Sequence, residues 1–124
     1  MSFLISHSNN EIKTSFNISG SKSESNRLLI LKHLFNDLEI KNLSDSDDTL
    51  VLQEGLSKNS GPVNVHHAGT AMRFLTAYFS TQENKYYEIL GSSRMHERPI
   101  KILVDALNSL GADIKYLGKK GYPP

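Results

Sequence analysis

The sequence has no cysteine, no excess of either charge and no long apolar run. Without cysteine, the chain has no disulfide, no thiolate nucleophile and no zinc site built on cysteine. The 14 basic and 13 acidic residues give a net charge of +1, whereas a general nucleic-acid surface needs a clustered excess of lysine and arginine. A small anionic ligand is still permitted, because it needs only a few well-placed cations.

Two further absences concern location and chain length. No apolar stretch approaches the roughly 20 residues that cross a bilayer, and residues 1–7 lack the basic and apolar regions of a signal peptide. We therefore expect a cytoplasmic protein. The last residues, Gly121–Pro124, contain no closing helix or strand pattern, so we expect the 124 residues to be part of a longer protein.

Hydrophobic periodicity predicts strands and helices that alternate along the chain. The first helix follows a capping box, in which Ser21 and Glu24 are three residues apart, and its inward face is expected to carry Leu28, Leu31 and Phe35. The alternation indicates an α/β or layered α+β domain. The predicted strands are 12–18, 38–41, 63–66, 85–90 and 112–117, and the predicted helices are 21–35, 47–56, 70–80 and 99–110.

The first segment with the features of an anion site is Gly20–Arg27, where a strand is expected to turn into a helix. Free N–H groups at a helix start attract phosphate. Gly20 allows a close backbone approach, and Lys22 and Ser23 add a charge and a hydroxyl. Arg27 can reach back from the next turn with a forked pair of donors. A capped helix with solvated charges explains the same residues, so both interpretations stay open here.

Two more segments place a glycine or an arginine just before a helix. In His67–Arg73, Gly69 would let a ligand touch the backbone, although a simple capped turn is the commoner explanation of such a pattern. In Arg94–Pro99, two arginines bracket an acid. Arg98 at the helix entrance can hold a carboxylate or phosphate with two parallel hydrogen bonds, while a surface ion-pair cluster with Glu97 explains the segment equally well.

Metal binding and nucleophilic catalysis have little support in the sequence. His66 and His67 are adjacent, and neighbouring residues on a strand point to opposite faces. Asp47 and Asp48 are better explained as acids at a helix start than as a catalytic pair. We therefore expect no metal site and no Ser-His-Asp triad.

Together, the order and spacing of these segments resemble the N-terminal part of the enolpyruvyl transferase family, in the branch that acts on shikimate 3-phosphate. The resemblance covers most of the chain, and the combination of motifs is highly specific. A sister branch that acts on UDP-N-acetylglucosamine lacks this set and uses a cysteine that is absent here. The matching stretches are GSKSESNR at 20–27, SDDT at 46–49, AGTAMR at 68–73, RMHERPI at 94–100 and residues 103–124.

The resemblance implies transfer of the enolpyruvyl group of phosphoenolpyruvate to the 5-hydroxyl of shikimate 3-phosphate, with release of phosphate, on the pathway to chorismate and aromatic amino acids. It implies neither a metal nor an organic cofactor. The family fold has two similar domains of βαβαββ units with the active site between them. Residues 13–124 would then be part of the N-terminal substrate-binding domain, and residues 1–12 a strand that pairs with the other domain. The catalytic acid–base groups would lie beyond Pro124, in the missing C-terminal domain, and this chain alone would not turn over.

The resemblance also assigns individual residues to the two substrates. Ser23 and Arg27 match contacts to shikimate 3-phosphate, and Lys22 matches a lysine that contacts phosphoenolpyruvate beside it. Gly69 matches a glycine that lies against phosphoenolpyruvate, where a larger residue disfavours the inhibitor glyphosate. Arg98 matches an arginine that binds phosphoenolpyruvate. None of the five is a catalytic acid or base, and Lys22 is the closest candidate for a catalytic residue.

Three positions depart from the family pattern. His67 stands where the family usually has asparagine, and we expect it to change one contact near phosphoenolpyruvate. Phe74 replaces a common proline, which is expected to alter the helix start and the inhibitor response. Ser19 replaces the usual proline before Gly20.

A second class of function stays open, a stand-alone anion-binding or assembly module that reuses the fold without catalysis. A reading frame that ends at Pro124 would favour this class, and one that continues into a second domain would favour the enzyme. A nucleic-acid binder is a third class. It would need a basic face and a steep salt dependence of binding, against which the near-neutral charge argues.

Overall fold

A computed structural model describes residues 2–6, 11, 13–35 and 37–124. Within these residues, helices and short strands alternate, and a 3₁₀ turn precedes the last helix. None of the described helices is long and apolar enough to cross a membrane. In chain order the elements are α1 (Lys22–Leu34), α2 (Asp47–Leu56), β1 (Gly61–Asn64), α3 (Gly69–Phe79), β2 (Tyr87–Leu90), the 3₁₀ turn (Met95–Glu97) and α4 (Lys101–Ser109).

The first three helices run in the same direction, with their N-terminal ends together. Lys22 in the first turn of α1 lies beside Asp48 in the first turn of α2. Near the other end, the rings of His33 in α1 and Tyr78 in α3 meet edge to face. The helices enclose the core, which also receives β1 and α4. Its buried apolar residues include Leu29, Leu52, Leu56, Val63, Val65, Met72, Leu75, Met95 and Val104.

β1 and β2 form a parallel sheet in which Val63 lies opposite Ile89. Parallel neighbours need a crossover connection, and α3 provides it. β1 begins two residues before the predicted range 63–66, and β2 begins two residues after the start of the predicted range 85–90. The combination of helices and a parallel sheet confirms the predicted mixed α/β fold.

Three predicted strands do not form within the described part of the chain. Residues 13–18, 38–41 and 112–117 make no strand ladder, and residue 12 lies outside the described residues. A strand needs a neighbour for its N–H and C=O groups, and no described segment pairs with these three. Of the predicted N-terminal strand 1–12, residues 2–6 and 11 are described and are exposed without strand structure. The pairing of that strand with a second domain stays a prediction.

The inward face of α1 differs from the predicted one. Leu31 is 40% exposed and Phe35 is 62% exposed, whereas Ser25, Asn26 and Leu29 are buried. The buried face of α1 therefore combines Leu29 with two polar residues, whose side-chain oxygens form hydrogen bonds with Ser44 before α2 and with Thr49 in α2. Of the three predicted residues, Leu28 is half-buried, so the leucine pattern gives the inward face only in part.

The other helices agree better with the sequence. α2 spans the predicted residues, with Leu52 and Leu56 buried, and α3 begins and ends one residue before the predicted range 70–80. α4 begins at Lys101, two residues after the predicted start, with Val104 buried. Gly111 has a φ of +103°, as a glycine that ends a helix often does.

Candidate functional site

The starts of α1, α2 and α3 lie side by side at one end of the domain. The Lys22 ammonium is 3.9 Å from the Asp48 carboxylate, and the His67 imidazole is 3.6 Å from the Asp47 carboxylate. Because each helix start carries about half a positive charge and several free N–H groups, three parallel starts make this end attractive to anions.

A buried hydrogen-bond network holds the starts of α1 and α2 together. The Ser25 hydroxyl accepts a hydrogen bond of 2.9 Å from the Ser44 backbone N–H. The Thr49 hydroxyl donates to the Asn26 side-chain oxygen over 2.8 Å, and Asn26 and Thr49 are both fully buried. The relative position of the two helix starts is therefore fixed within this chain.

Ser21 is the N-cap of α1 as predicted, because its hydroxyl accepts a hydrogen bond of 3.4 Å from the Glu24 backbone N–H. The role predicted for Gly20 is different. A Cβ atom at Gly20 would collide with the backbone carbonyl of Asn42. The close approach that this glycine permits is thus to another part of the same chain.

Three of the predicted site residues lie on the first two turns of α1. Lys22 and Ser23 are exposed at its start. Arg27 bends back along the helix, where its guanidinium donates a hydrogen bond of 2.7 Å to the Ser23 carbonyl. The same guanidinium is 6.0 Å from the centre of the Phe74 ring. Phe74, which replaces a proline of the family pattern, therefore lies beside a predicted ligand of shikimate 3-phosphate.

The other two predicted site residues, Gly69 and Arg98, are in contact. A Cβ atom at Gly69 would collide with the Arg98 guanidinium, so the missing side chain makes room for that cation. The second and third sequence segments thus form one surface. Neither the Arg94 nor the Arg98 guanidinium lies within 4.0 Å of a described carboxylate. The two arginines therefore form no ion-pair cluster with Glu97.

Arg73 is a residue of this surface to which sequence reasoning gave no role. Its guanidinium donates one hydrogen bond of 3.1 Å to the Gly69 carbonyl and another of 3.0 Å to the Pro99 carbonyl. The spacing of four residues between Gly69 and Arg73 was the available signal, because residues four apart share a helix face. The contact with Pro99 depends on tertiary structure and has no local signal.

The adjacent histidines are not on a strand, contrary to the expectation from their sequence. β1 ends at Asn64, whose side-chain oxygen accepts a hydrogen bond of 2.9 Å from the His66 backbone N–H. His66 has a φ of +47°, so the chain turns there towards α3. Among the described residues, no three side chains of the metal-binding types come together.

A cavity of about 440 Å³ lies away from the starts of α1, α2 and α3, and none of the five predicted site residues lines it. The stacked rings of Phe79 and Tyr87 line it, together with Tyr116. Burial raises the pKa of Tyr116 and of Tyr87 above the ordinary value. The Tyr116 hydroxyl is shielded from water and has no hydrogen-bond partner among the residues that the structure describes. This aromatic cavity is thus separate from the surface formed by Gly69, Arg73 and Arg98.

Comparison with known proteins agrees with the motifs. Residues 53–124 match the family model described as EPSP synthase (3-phosphoshikimate 1-carboxyvinyltransferase). A relative of that enzyme name from Bacteroides fragilis is 46% identical over 115 residues, which are 92% of this chain and 28% of the relative. Relatives of the same name from Marinomonas and Bordetella pertussis are 40% and 43% identical, over 97% and 85% of this chain and 33% and 29% of their own lengths.

The chain therefore spans about a third or less of these relatives. The family model covers more than half of the chain, and it includes the surface formed by Gly69, Arg73 and Arg98. On this match, the chain belongs to the EPSP synthase (3-phosphoshikimate 1-carboxyvinyltransferase) family.

Proposed function

We propose that this chain forms one wall of a site that binds shikimate 3-phosphate and phosphoenolpyruvate and transfers the enolpyruvyl group between them. The observation that carries the proposal is the meeting of three helix starts with Arg73 and Arg98. No described carboxylate lies within 4.0 Å of either guanidinium. Half-buried cations without a carboxylate partner favour an anionic ligand, because the ligand then supplies the missing charge.

The two substrates would bind to different parts of this wall. Ser23 and Arg27, near the start of α1, would hold the phosphate of shikimate 3-phosphate. Gly69 and Arg98 would contact phosphoenolpyruvate, and Lys22 would lie between the two ligands. The hydrogen bond from Arg27 to the Ser23 carbonyl supports the first assignment, since it keeps both residues at the helix start.

The transfer joins the 5-hydroxyl oxygen to the phosphoenolpyruvate carbon that bears the phosphate. The hydroxyl proton is lost, and the bond from that carbon to the phosphate oxygen breaks. Cations on the wall neutralise the charges of both substrates and of the departing phosphate. We propose that the acid–base groups come from the two thirds of the relatives that this chain does not span.

Residues 13–124 would belong to an N-terminal substrate-binding domain, and residues 1–12 would pair with a second domain of the same protein. The partners would be phosphorylated metabolites and that second domain, in the cytoplasm, with no role for nucleic acid.

The test is a chimaera in which this chain replaces the matching 28% of the Bacteroides fragilis relative. We expect the chimaera to release phosphate when both substrates are present and to lose that activity when either is left out. We expect the 124-residue chain alone to show no turnover. An inactive, folded chimaera would contradict the proposal, and turnover by the chain alone would contradict the assignment of the acid–base groups.

A stand-alone anion-binding module is the second candidate. It is favoured by the hydrogen bonds from Ser44 to Ser25 and from Thr49 to Asn26, because they fix the helix starts within this chain. A module of this kind would bind both metabolites as the chain alone, while the chimaera would be inactive. Activity of the chimaera would exclude this candidate.

A further inference from the structure

The Arg73 guanidinium bridges the starts of two helices. One nitrogen donates to the carbonyl of Gly69 in the first turn of α3, and the other donates to the carbonyl of Pro99. Pro99 is followed by Ile100, the N-cap of α4. A planar fork can hold two carbonyls at once, which a lysine ammonium on a flexible stem does less rigidly.

The carbonyl that Arg73 holds belongs to the residue directly after Arg98. Fixing the Pro99 carbonyl fixes the direction from which the Arg98 side chain extends over Gly69. The Arg73 guanidinium itself lies 3.5 Å from the position that a Cβ would take at Gly69, and the Arg98 guanidinium occupies that position. Two guanidinium groups therefore share one small area of the surface.

The two guanidinium groups carry like charges and repel each other, so other interactions must hold them together. Among the residues that the structure describes, no acidic side chain lies within 4.0 Å of either arginine. The hydrogen bonds to Gly69 and Pro99 occupy two of the five N–H donors of Arg73 and hold this cation in place. The Arg98 side chain makes no hydrogen bond among the described residues, so its N–H donors are available to a ligand.

We propose that Arg73 is a positioning residue, which holds Arg98 over Gly69 in the orientation that receives phosphoenolpyruvate. The inference rests on the proposed function, because it names the residue that shapes that site. Arg73 acts on the ligand through Arg98, by way of its hydrogen bond to the Pro99 carbonyl. Loss of the fork frees the Arg98 side chain and weakens binding, while the chemical step is changed little.

The first arm of the test uses the 124-residue chain without ligand. Nuclear Overhauser effects between the Arg98 side chain and the Gly69 α protons report their contact by NMR. We expect these signals in the wild type and in the control Lys32→Ala, an exposed substitution at the far end of α1. We expect them to be lost in Arg73→Met and weakened in Arg73→Lys. Signals that persist in Arg73→Met would overturn the proposal.

The second arm uses the chimaera and steady-state kinetics with phosphoenolpyruvate as the varied substrate. We expect Arg73→Met to raise KM for phosphoenolpyruvate about tenfold or more with kcat changed less than threefold, and Arg73→Lys to raise KM by an intermediate factor. The double variant Arg73→Met/Arg98→Ala should be no worse than Arg98→Ala alone. If the two substitutions raise KM by factors that multiply in the double variant, Arg73 does not act through Arg98. If Arg73→Met lowers kcat and leaves KM unchanged, the proposal is also contradicted.

The two arms separate this inference from the proposed function. If the wild-type chimaera does not turn over, the proposed function fails, while the NMR arm still decides whether Arg73 positions Arg98. If Arg73→Met does not fold, Arg73→Lys keeps a charge and one hydrogen bond, and its NMR signals and KM decide the matter. If the NMR signals and the KM of Arg73→Lys then equal those of the wild type, the paired hydrogen bonds of the Arg73 guanidinium are not needed, and the proposal is contradicted.

Discussion

Replacing Gly69 by alanine is expected to separate stability from ligand binding. Gly69 lies in the first turn of α3 with backbone angles that alanine also adopts. The new methyl group would collide only with the flexible end of Arg98. Stability should change by no more than about 1 kcal/mol, since alanine is favoured over glycine in a helix by about that amount. The displaced guanidinium should raise KM for phosphoenolpyruvate about tenfold, which corresponds to about 1.4 kcal/mol.

Gly20→Ala is the matched control, because the same methyl group there meets backbone instead of a side-chain end. It would collide with the Asn42 carbonyl, so the chain itself must move, at a cost of about 1–3 kcal/mol. Urea unfolding of the 124-residue chain measures the stability of both variants, and kinetics of the chimaera measures KM. If Gly69→Ala unfolds as easily as Gly20→Ala and leaves KM unchanged, the assignment of Gly69 as the space for Arg98 is wrong.

Three further predictions concern the surroundings of the site. Thr49→Val removes the buried hydrogen bond to Asn26 and should lower the urea-derived free energy of unfolding by about 1–3 kcal/mol; an unchanged midpoint would contradict the network. Tyr116→Phe removes a buried hydroxyl without a partner and should raise stability by up to about 1 kcal/mol. Burial raises the folded pKa of Tyr116 above 10.0, so the unfolded wild type ionises first and its free energy of unfolding falls as pH rises above that value. The variant lacks this group and should lose less stability in alkaline urea titrations. Phe74→Leu should raise KM for shikimate 3-phosphate less than about sixfold, since an exposed cation–π contact to Arg27 is worth only about 0.5–1 kcal/mol, and a larger loss would give Phe74 a direct role.

Local signals predicted the helix starts well. Ser21 caps the start of α1 as expected, and α2 begins at the expected acidic residues. Such features depend on neighbours within one turn of the helix, and these are visible in the sequence. The same local signals single out Gly69 and Arg98, but they give no role to Arg73 and do not predict the contacts among the three.

The errors arise where the structure depends on distant parts of the chain. The inward face of α1 includes the polar residues Ser25 and Asn26, because Thr49 donates a hydrogen bond to the Asn26 side-chain oxygen, and a leucine pattern does not contain that partner. The predicted strands at 38–41 and 112–117 lack a described neighbour. Likewise, the contact between Gly69 and Arg98 joins residues that are far apart in sequence, and only the packing of α3 against α4 brings them together.

The three helix starts that lie side by side are proposed to bind phosphorylated anions. Titration of the ¹⁵N-labelled 124-residue chain with phosphoenolpyruvate, followed by amide chemical shifts, measures this binding. We expect saturable shifts that cluster at Lys22, Gly69 and Arg98, and we expect Arg98→Ala to reduce them. Shifts that cluster at the cavity lined by Tyr87 and Tyr116, or no saturable shifts at the helix starts, would contradict it.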